Sequence, residues 1–253
     1  INNFNINESI LEVAVRMNQF NNNNLLSIKV QTGEINRECI IKLAQKIALF
    51  HFEATKLEDE NPNKLINNAY NAARYNIEII RRLEGENVDN ISLNNFSELY
   101  EKEDLYVVET MQKRIRSQVI RDCHGDLHCE NIFMKENKEL EVFDSIDFDS
   151  NLRMIDPISD IAFLIMDLSA RGAKKEAVDF LNSWLSETGD YNGMKLFRWY
   201  SIYRALVRAK VYAIRKLQSA NLKSKDKGIA IDNFNLYMNH AIKIRDQVRP
   251  KLI

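Results

Sequence analysis

Polar side chains with catalytic capacity are concentrated between positions 124 and 160, in the stretch HGDLHCENIFMKENKELEVFDSIDFDSNLRMIDPISD. Asn131 follows Asp126 after five residues, and Asp144 follows thirteen residues later. A carboxylate can accept the proton of an attacking hydroxyl group, and carboxylate and amide oxygens are the ligands that Mg²⁺ prefers. These residue types at this spacing are typical of a site for phosphoryl transfer from a Mg²⁺-bound nucleotide.

The segments around this motif predict how its residues are positioned. Residues 119–123 form a short extended stretch, and the apolar runs 131–135 and 139–144 predict a β-hairpin with a polar loop at Glu136–Lys138. We expect the loop before the hairpin and the hairpin itself to place the base and the metal ligands on one rim.

The rest of the chain is predicted to be mostly helical. Only 7 Gly and 3 Pro interrupt 253 residues, which favours long elements. Asn36 is the expected N-cap of the first long helix, Pro62 begins the second and Gly85 ends it. Apolar spacing predicts helices over 36–54, 62–83, 95–118, 158–170, 173–188, 193–218 and 228–248, and a short strand over 12–17.

Several of these segments together resemble one known family. His124–Asn131 resembles the catalytic loop of the aminoglycoside phosphotransferase family, which has the protein-kinase-like fold, and Asp156–Ala162 resembles the Asp-containing segment that follows its metal-binding strand. Residues 163–168 and 203–211 resemble an uncharacterised bacterial branch that often carries a P-loop ATPase domain downstream. The resemblance implies an α+β, predominantly helical fold: a kinase-like C-terminal lobe with a small β-hairpin and with the N-terminal lobe largely absent.

The resemblance also implies a domain division. Residues 1–20 would be a remnant of the small lobe with its hinge strand. Residues 21–253 would form the helical large lobe, with the catalytic loop at about 121–160.

The resemblance assigns roles to individual residues. Asp126 would be the catalytic base, and Asn131 would bind the Mg²⁺ that accompanies ATP. The second metal-binding carboxylate is either Asp144, which ends an apolar strand, or Asp147, whose neighbours look more like the usual tripeptide of the family. We favour Asp144; a pairing of Arg153 with Asp147 would support this choice.

Further residues are expected to support the loop. His124 would hold its backbone, His128 would line it near the substrate phosphate, and Asp160 would hydrogen-bond to it from behind. The same histidines, with Cys129 and Glu130, allow a zinc site as a weaker alternative.

Basic side chains recur along the helix predicted at 193–218. Arg204 and Arg208, with Tyr203 and Arg215, lie at spacings that place them on one stripe. In this fold the stripe would bind an anionic acceptor. The alternative is a solvated face that is paired with acidic neighbours.

Composition excludes some classes of partner. The net charge of −1 argues against nucleic acid or an anionic membrane surface as the main partner, and no run of 18 apolar residues could span a bilayer. The 3 cysteines have no paired spacing, which favours reduced thiols and a cytoplasmic location.

The resemblance implies a function: transfer of the γ-phosphoryl group of ATP to a hydroxyl of a small molecule, whose identity stays open. No lobe that covers the nucleotide precedes the motif, there is no GxGxxG, and the chain does not begin with Met. We therefore expect a fragment that alone binds ATP weakly and turns over little. The alternative is a non-catalytic, pseudokinase-like binding or regulatory module for a partner ATPase domain.

Overall fold

The computed structural model describes residues 21–58, 61–85, 90–101, 105–218 and 224–247. The strand predicted at 12–17 lies outside these residues, so the proposed division at residue 20 stays a prediction. The described helices are α1 (Leu26–Thr32), α2 (Arg37–Glu53), α3 (Pro62–Glu84), α4 (Asn90–Glu101), α5 (Leu105–Arg116), α6 (Ser150–Arg153), α7 (Pro157–Ala170), α8 (Lys174–Thr188), α9 (Met194–Gln218) and α10 (Ser224–Asp246).

Helix ends follow the local signals in the sequence. The Asn36 side chain caps α2 by accepting a hydrogen bond from the Cys39 backbone N–H at 2.8 Å. Helix α3 begins at Pro62 and ends at Gly85, whose φ of +52° suits glycine. These two helices, the hairpin and the four helices after Asp156 are confirmed within a few residues of their predicted bounds.

The described strands form two small antiparallel pairs: β1 (Arg121–Asp122) with β4 (Met154–Ile155), and β2 (Ile132–Met134) with β3 (Leu140–Val142). In the second pair Ile132 lies opposite Val142 and Met134 lies opposite Leu140. This pair is the predicted hairpin, whereas the pairing of β1 with β4 was not predicted. The pair β1–β4 holds together the two ends of the segment that carries the motif.

Helix α7 lies at the centre of the core. Every residue from Pro157 to Leu168 is buried, which is typical of a helix that is covered on all sides. It packs against α8 and α9, while α9 also packs against α3 and α10, and α2 packs against α8. The predicted α+β, predominantly helical fold with a small β-hairpin is confirmed.

The helix expected over 95–118 is described in two parts, α4, which begins earlier at Asn90, and α5; residues 102–104 lie outside the described residues, so its continuity stays a prediction. One local prediction is wrong. Arg153 pairs with Asp122 at 2.7 Å rather than with Asp147, because β4 brings it beside β1. Within the described part of the chain, none of the helices combines the length and apolarity that a bilayer crossing requires.

Candidate active site

The segment from β1 to β2 turns sharply at Gly125. Its φ is +82°, and a Cβ atom built there would lie 2.8 Å from the Leu152 carbonyl oxygen and 3.1 Å from Ile146 Cδ1. Only glycine fits both the left-handed backbone and the close approach. The turn directs the next residue, Asp126, away from the core, and its side chain is 36% exposed.

Asp126 is held by two side chains of its own loop. Its Oδ2 atom lies 3.2 Å from His128 Nε2 and 3.0 Å from Asn131 Nδ2. Burial alone would raise the pKa of Asp126, but the hydrogen bond and charge of His128, with the charges of Arg204 and Arg208, lower the pKa to about 2. The carboxylate is therefore ionised at neutral pH and able to accept a proton.

Asn131 is oriented by the same contacts. Its Nδ2 donates to both the backbone carbonyl and the carboxylate of Asp126, at 3.0 Å each. This orientation leaves Oδ1 as the outward acceptor, and no described residue donates a hydrogen bond to it. An amide oxygen beside a carboxylate is a donor set that fits a hard divalent cation.

Asp144 is linked to this loop through the backbone of its neighbour Phe143. The Phe143 N–H donates to the Asn131 carbonyl at 3.0 Å, and His124 Nε2 donates to the Phe143 carbonyl at 2.9 Å. Asp144 itself is exposed and has a φ of +61°, which Asp tolerates better than most residues. Asp147 is also exposed, and it accepts a hydrogen bond from Ser145 Oγ at 3.4 Å. The Ile146 N–H, next to Asp147, likewise donates to the His124 carbonyl at 3.1 Å, so the choice between the two carboxylates stays a prediction.

The two motif histidines have partners at both ring nitrogens. His124 Nδ1 accepts from the Asp126 N–H at 3.3 Å, so its proton is on the Nε2 that faces Phe143. His128 Nδ1 accepts from the Glu130 N–H at 3.2 Å, and its Nε2 lies 3.2 Å from Asp126 Oδ2 and 3.0 Å from Arg208 Nη1. Both rings therefore brace the loop around Asp126.

Asp160, on α7, lies behind the loop and is fully buried. It accepts hydrogen bonds from the N–H groups of His124 and Gly125 at 3.1 and 3.0 Å, and from His51 Nε2 at 3.1 Å. His51 Nδ1 accepts in turn from Trp184 Nε1 at 3.2 Å. Burial opposes ionisation of Asp160, but the bond and charge of His51 outweigh it and lower the pKa of Asp160.

Sequence reasoning missed a second buried carboxylate on the same helix. Asp167 accepts from the Cys129 N–H at 2.8 Å, from Arg171 Nε at 2.9 Å and from the Tyr237 hydroxyl at 2.6 Å. Burial would raise the pKa of Asp167, but the charges of Arg171 and Arg208 lower it. The spacing of Asp160 and Asp167, seven residues apart on one helix, was the available signal.

The arginines predicted to bind an acceptor are both buried. Arg204 Nη1 donates to the Gly125 carbonyl at 3.0 Å, and its Nε reaches Ser159 at 3.2 Å. Arg208 Nη2 pairs with Glu130 at 2.6 Å. The alternative of a solvated face is wrong for these two side chains, because the loop lies directly against them, whereas the pairing with an acidic neighbour that it included is observed for Arg208. Binding of an acceptor stays a prediction.

No group among the described residues matches the alternative zinc site. The cluster of potential ligand atoms found there is instead His51, Cys123 and Asp160, whose atoms lie within 4.8 Å of one another. Hydrogen bonds already occupy His51 and Asp160, and burial raises the pKa of the Cys123 thiol. These contacts indicate support for the loop.

Comparisons with known proteins do not identify a family. No family model matches the chain. Uncharacterized proteins of Mycobacterium bovis and Mycobacterium tuberculosis are 39% identical over 102 residues, which is 40% of this chain and 20% of each relative. The matched segment thus spans about a fifth of the relatives' length.

One solved structure has a partly similar course of the chain. It is an ethanolamine kinase from Plasmodium vivax, at 13% identity and a TM-score of 0.47, with 87% of this chain and 61% of that chain covered. The functional argument therefore depends on the geometry of the site itself.

Proposed function

We propose that this chain is the nucleotide- and acceptor-binding lobe of an ATP-dependent phosphotransferase that acts on a hydroxyl of a small molecule. One observation carries the proposal: a partly exposed, ionised Asp126 accepts a hydrogen bond from Asn131, and the Asn131 carbonyl and the His124 imidazole fix the residue before Asp144. A base and two oxygen donors on one rim are the parts that phosphoryl transfer requires.

In this mechanism Asp126 orients the acceptor hydroxyl and takes its proton as the hydroxyl oxygen bonds to the γ-phosphorus of ATP and the bond from that phosphorus to the departing ADP breaks. A pKa near 2 makes Asp126 a weak base, so its main contribution is orientation. Asn131 Oδ1 and the Asp144 carboxylate would hold Mg²⁺, which neutralises charge on the phosphates. The hydrogen bonds of His128 and Asn131 restrict the rotamers of Asp126.

Replacement of Asp126 by Asn tests the base. The variant keeps the size of the side chain, so we expect normal folding with a loss of phosphoryl transfer of about 10²–10⁴-fold. The measurement is the release of phosphate from Mg²⁺–ATP by the chain, with water as the acceptor. Asp149→Asn, in the same segment but at the N-cap of α6, is the matched control. Wild-type turnover in Asp126→Asn would contradict the assignment.

Calorimetry of ATP binding with and without Mg²⁺ tests the metal ligands. We expect Asp144→Asn to remove the dependence of ATP affinity on Mg²⁺ and Asp147→Asn to preserve it. The reverse result would move the metal ligand to Asp147. ATP binding without any transfer would favour the non-catalytic module.

The proposal also includes ATP and Mg²⁺ as cofactors and association with a P-loop ATPase domain.

A further inference from the structure

A cavity of about 450 Å³ lies between helices α3 and α5 on one side and the segments from α6, α7 and α9 on the other. Its walls are mainly apolar, and they include Leu65, Ala69, Ala72, Met111, Ile115 and Leu152. Sites for small organic molecules are usually concave, apolar and of this size, with a few polar groups that fix orientation.

The cavity shares a wall with the catalytic loop. Arg204 lines the cavity and donates to the Gly125 carbonyl at 3.0 Å. Leu152 lines it as well, and the Leu152 carbonyl lies so close to Gly125 that an added Cβ would be 2.8 Å away. A molecule in the cavity would therefore contact two residues, Leu152 and Arg204, that themselves contact the backbone next to Asp126.

Polar groups without partners face this space from α9. Tyr200 lines the cavity and is only 8% exposed, yet its hydroxyl makes no hydrogen bond within the described part of the chain. Arg204 uses Nε and Nη1 for Ser159 and Gly125, whereas its Nη2 has no partner among the described residues. Neither atom is among the fully buried unpaired side-chain atoms, so both are open to the cavity and can donate to an acceptor group that binds there.

The charges of the lining favour an anion. The charged lining residues are Lys64, Asp156 and Arg204. Both oxygens of Asp156 are occupied by Arg114, at 2.6 and 2.8 Å, and one also caps α7. Within the described lining, the charge that this leaves for a ligand is that of Arg204, which is positive, and no carboxylate is left for a cationic ligand.

We propose that this cavity binds an amphipathic organic acid, with its apolar body between α3 and α5 and its anionic group on Arg204 and Tyr200. As the acceptor of phosphoryl transfer, this molecule would also carry the hydroxyl group that reacts, and that role rests on the proposed function. A polycation such as an aminoglycoside does not fit this lining. Binding of the acid requires neither nucleotide nor Mg²⁺.

Two fluorescent probes that differ in one group test this ligand class on the full chain. The dye 8-anilino-1-naphthalenesulfonate has an apolar body and a sulfonate, and N-phenyl-1-naphthylamine is the same body without the charge. We expect saturable one-to-one binding of the anionic dye, about tenfold tighter than the uncharged dye, because a charged pair with Arg204 is formed only by the former. We also expect displacement by 10-hydroxydecanoate and none by spermidine.

Matched variants locate the binding. Ala72→Phe fills the cavity and should weaken binding of both dyes at least about tenfold, whereas Asn67→Phe adds the same ring to an exposed position of α3 outside the lining and should not. Tyr200→Phe should weaken the anionic dye alone. Arg204→Gln should equalise the affinities of the two dyes. Because Arg204 also holds the loop, the result for Tyr200→Phe decides whether the anionic group binds here if Arg204→Gln fails to fold.

Equal affinity for the two dyes in the wild-type chain, or unchanged binding in Ala72→Phe, would overturn the proposal. The assay contains no ATP, so this failure would leave the phosphotransferase proposal intact. Conversely, wild-type phosphate release by Asp126→Asn would overturn the phosphotransferase proposal without affecting the dye result.

Discussion

Replacement of Asp160 by Asn should destabilise the chain by about 3–5 kcal/mol. The carboxylate accepts three hydrogen bonds, two from backbone N–H groups and one from His51, and it has no exposed surface. An amide has one acceptor oxygen, so its NH₂ group must face at least one of these donors. The least costly arrangement places it against the Gly125 N–H, the one donor on Oδ1.

His51 cannot relieve this conflict by changing its tautomer. Its Nδ1 already accepts from Trp184, so moving the proton to Nδ1 would break that bond. At least one bond to an ionised acceptor, worth about 1.5–3 kcal/mol, is therefore lost, and a buried donor is left unsatisfied at a further cost of about 1–3 kcal/mol.

Urea unfolding followed by circular dichroism measures this change. The control is Asp179→Asn, which removes a single ion pair with the largely exposed Arg37 at 3.0 Å and should cost at most about 1 kcal/mol. A free energy of unfolding for Asp160→Asn within about 1 kcal/mol of wild type, in a range typical of surface substitutions, would refute the reasoning that Asp160 is the buried anchor of the loop.

Two further predictions concern the same loop. Gly125→Ala should lower the free energy of unfolding by about 2–4 kcal/mol in the same assay, because of its left-handed φ and the contact of the new Cβ with the Leu152 carbonyl. The control is Gly189→Ala, which has a φ of +67° and open space around it and should cost only about 1–2 kcal/mol. Equal costs for the two variants would exclude a contribution from the contact with Leu152. Stability should also fall in acid. The charges of Arg208 and Arg171 overcome burial and lower the pKa of Glu130 from 4.5 to about 2, so its contribution is complete above pH 4.5 and is lost as pH falls toward 2. Urea unfolding at pH 6, 4 and 3 measures this loss, and Glu130→Gln should flatten it; an unchanged slope would assign the loss to other groups.

Local signals in the sequence predicted much of the fold, because caps, glycines and apolar spacing act over a few residues. Asn36 and Pro62 mark helix starts that the structure describes at the same places. The pairing of β1 with β4 was missed, since each strand has only two residues and their partner lies more than thirty positions away. A strand of two residues is too short to show the alternation of apolar and polar residues that predicts a strand.

The support of the candidate site was harder to predict. His51 and Asp160 are 109 positions apart, and nothing in the sequence indicates their contact, because a lone histidine on an apolar helix face has no distinctive spacing. Arg208 was read as part of a stripe because spacing on a helix defines a face but not what covers it. The face is covered by the loop itself, through Glu130 and His128.

The two buried carboxylates of α7 also constrain how the length of this protein can change. Asp160 and Asp167 are separated by seven residues, which is nearly two complete turns and about 10 Å of helix rise, and they accept N–H groups from the two ends of the same short loop. Inserting or deleting one residue between them would rotate one carboxylate by about 100° away from the loop. Homologous chains should therefore keep this interval constant and vary in length where no such pair of attachment points exists, as in the hairpin turn at Glu136–Lys138.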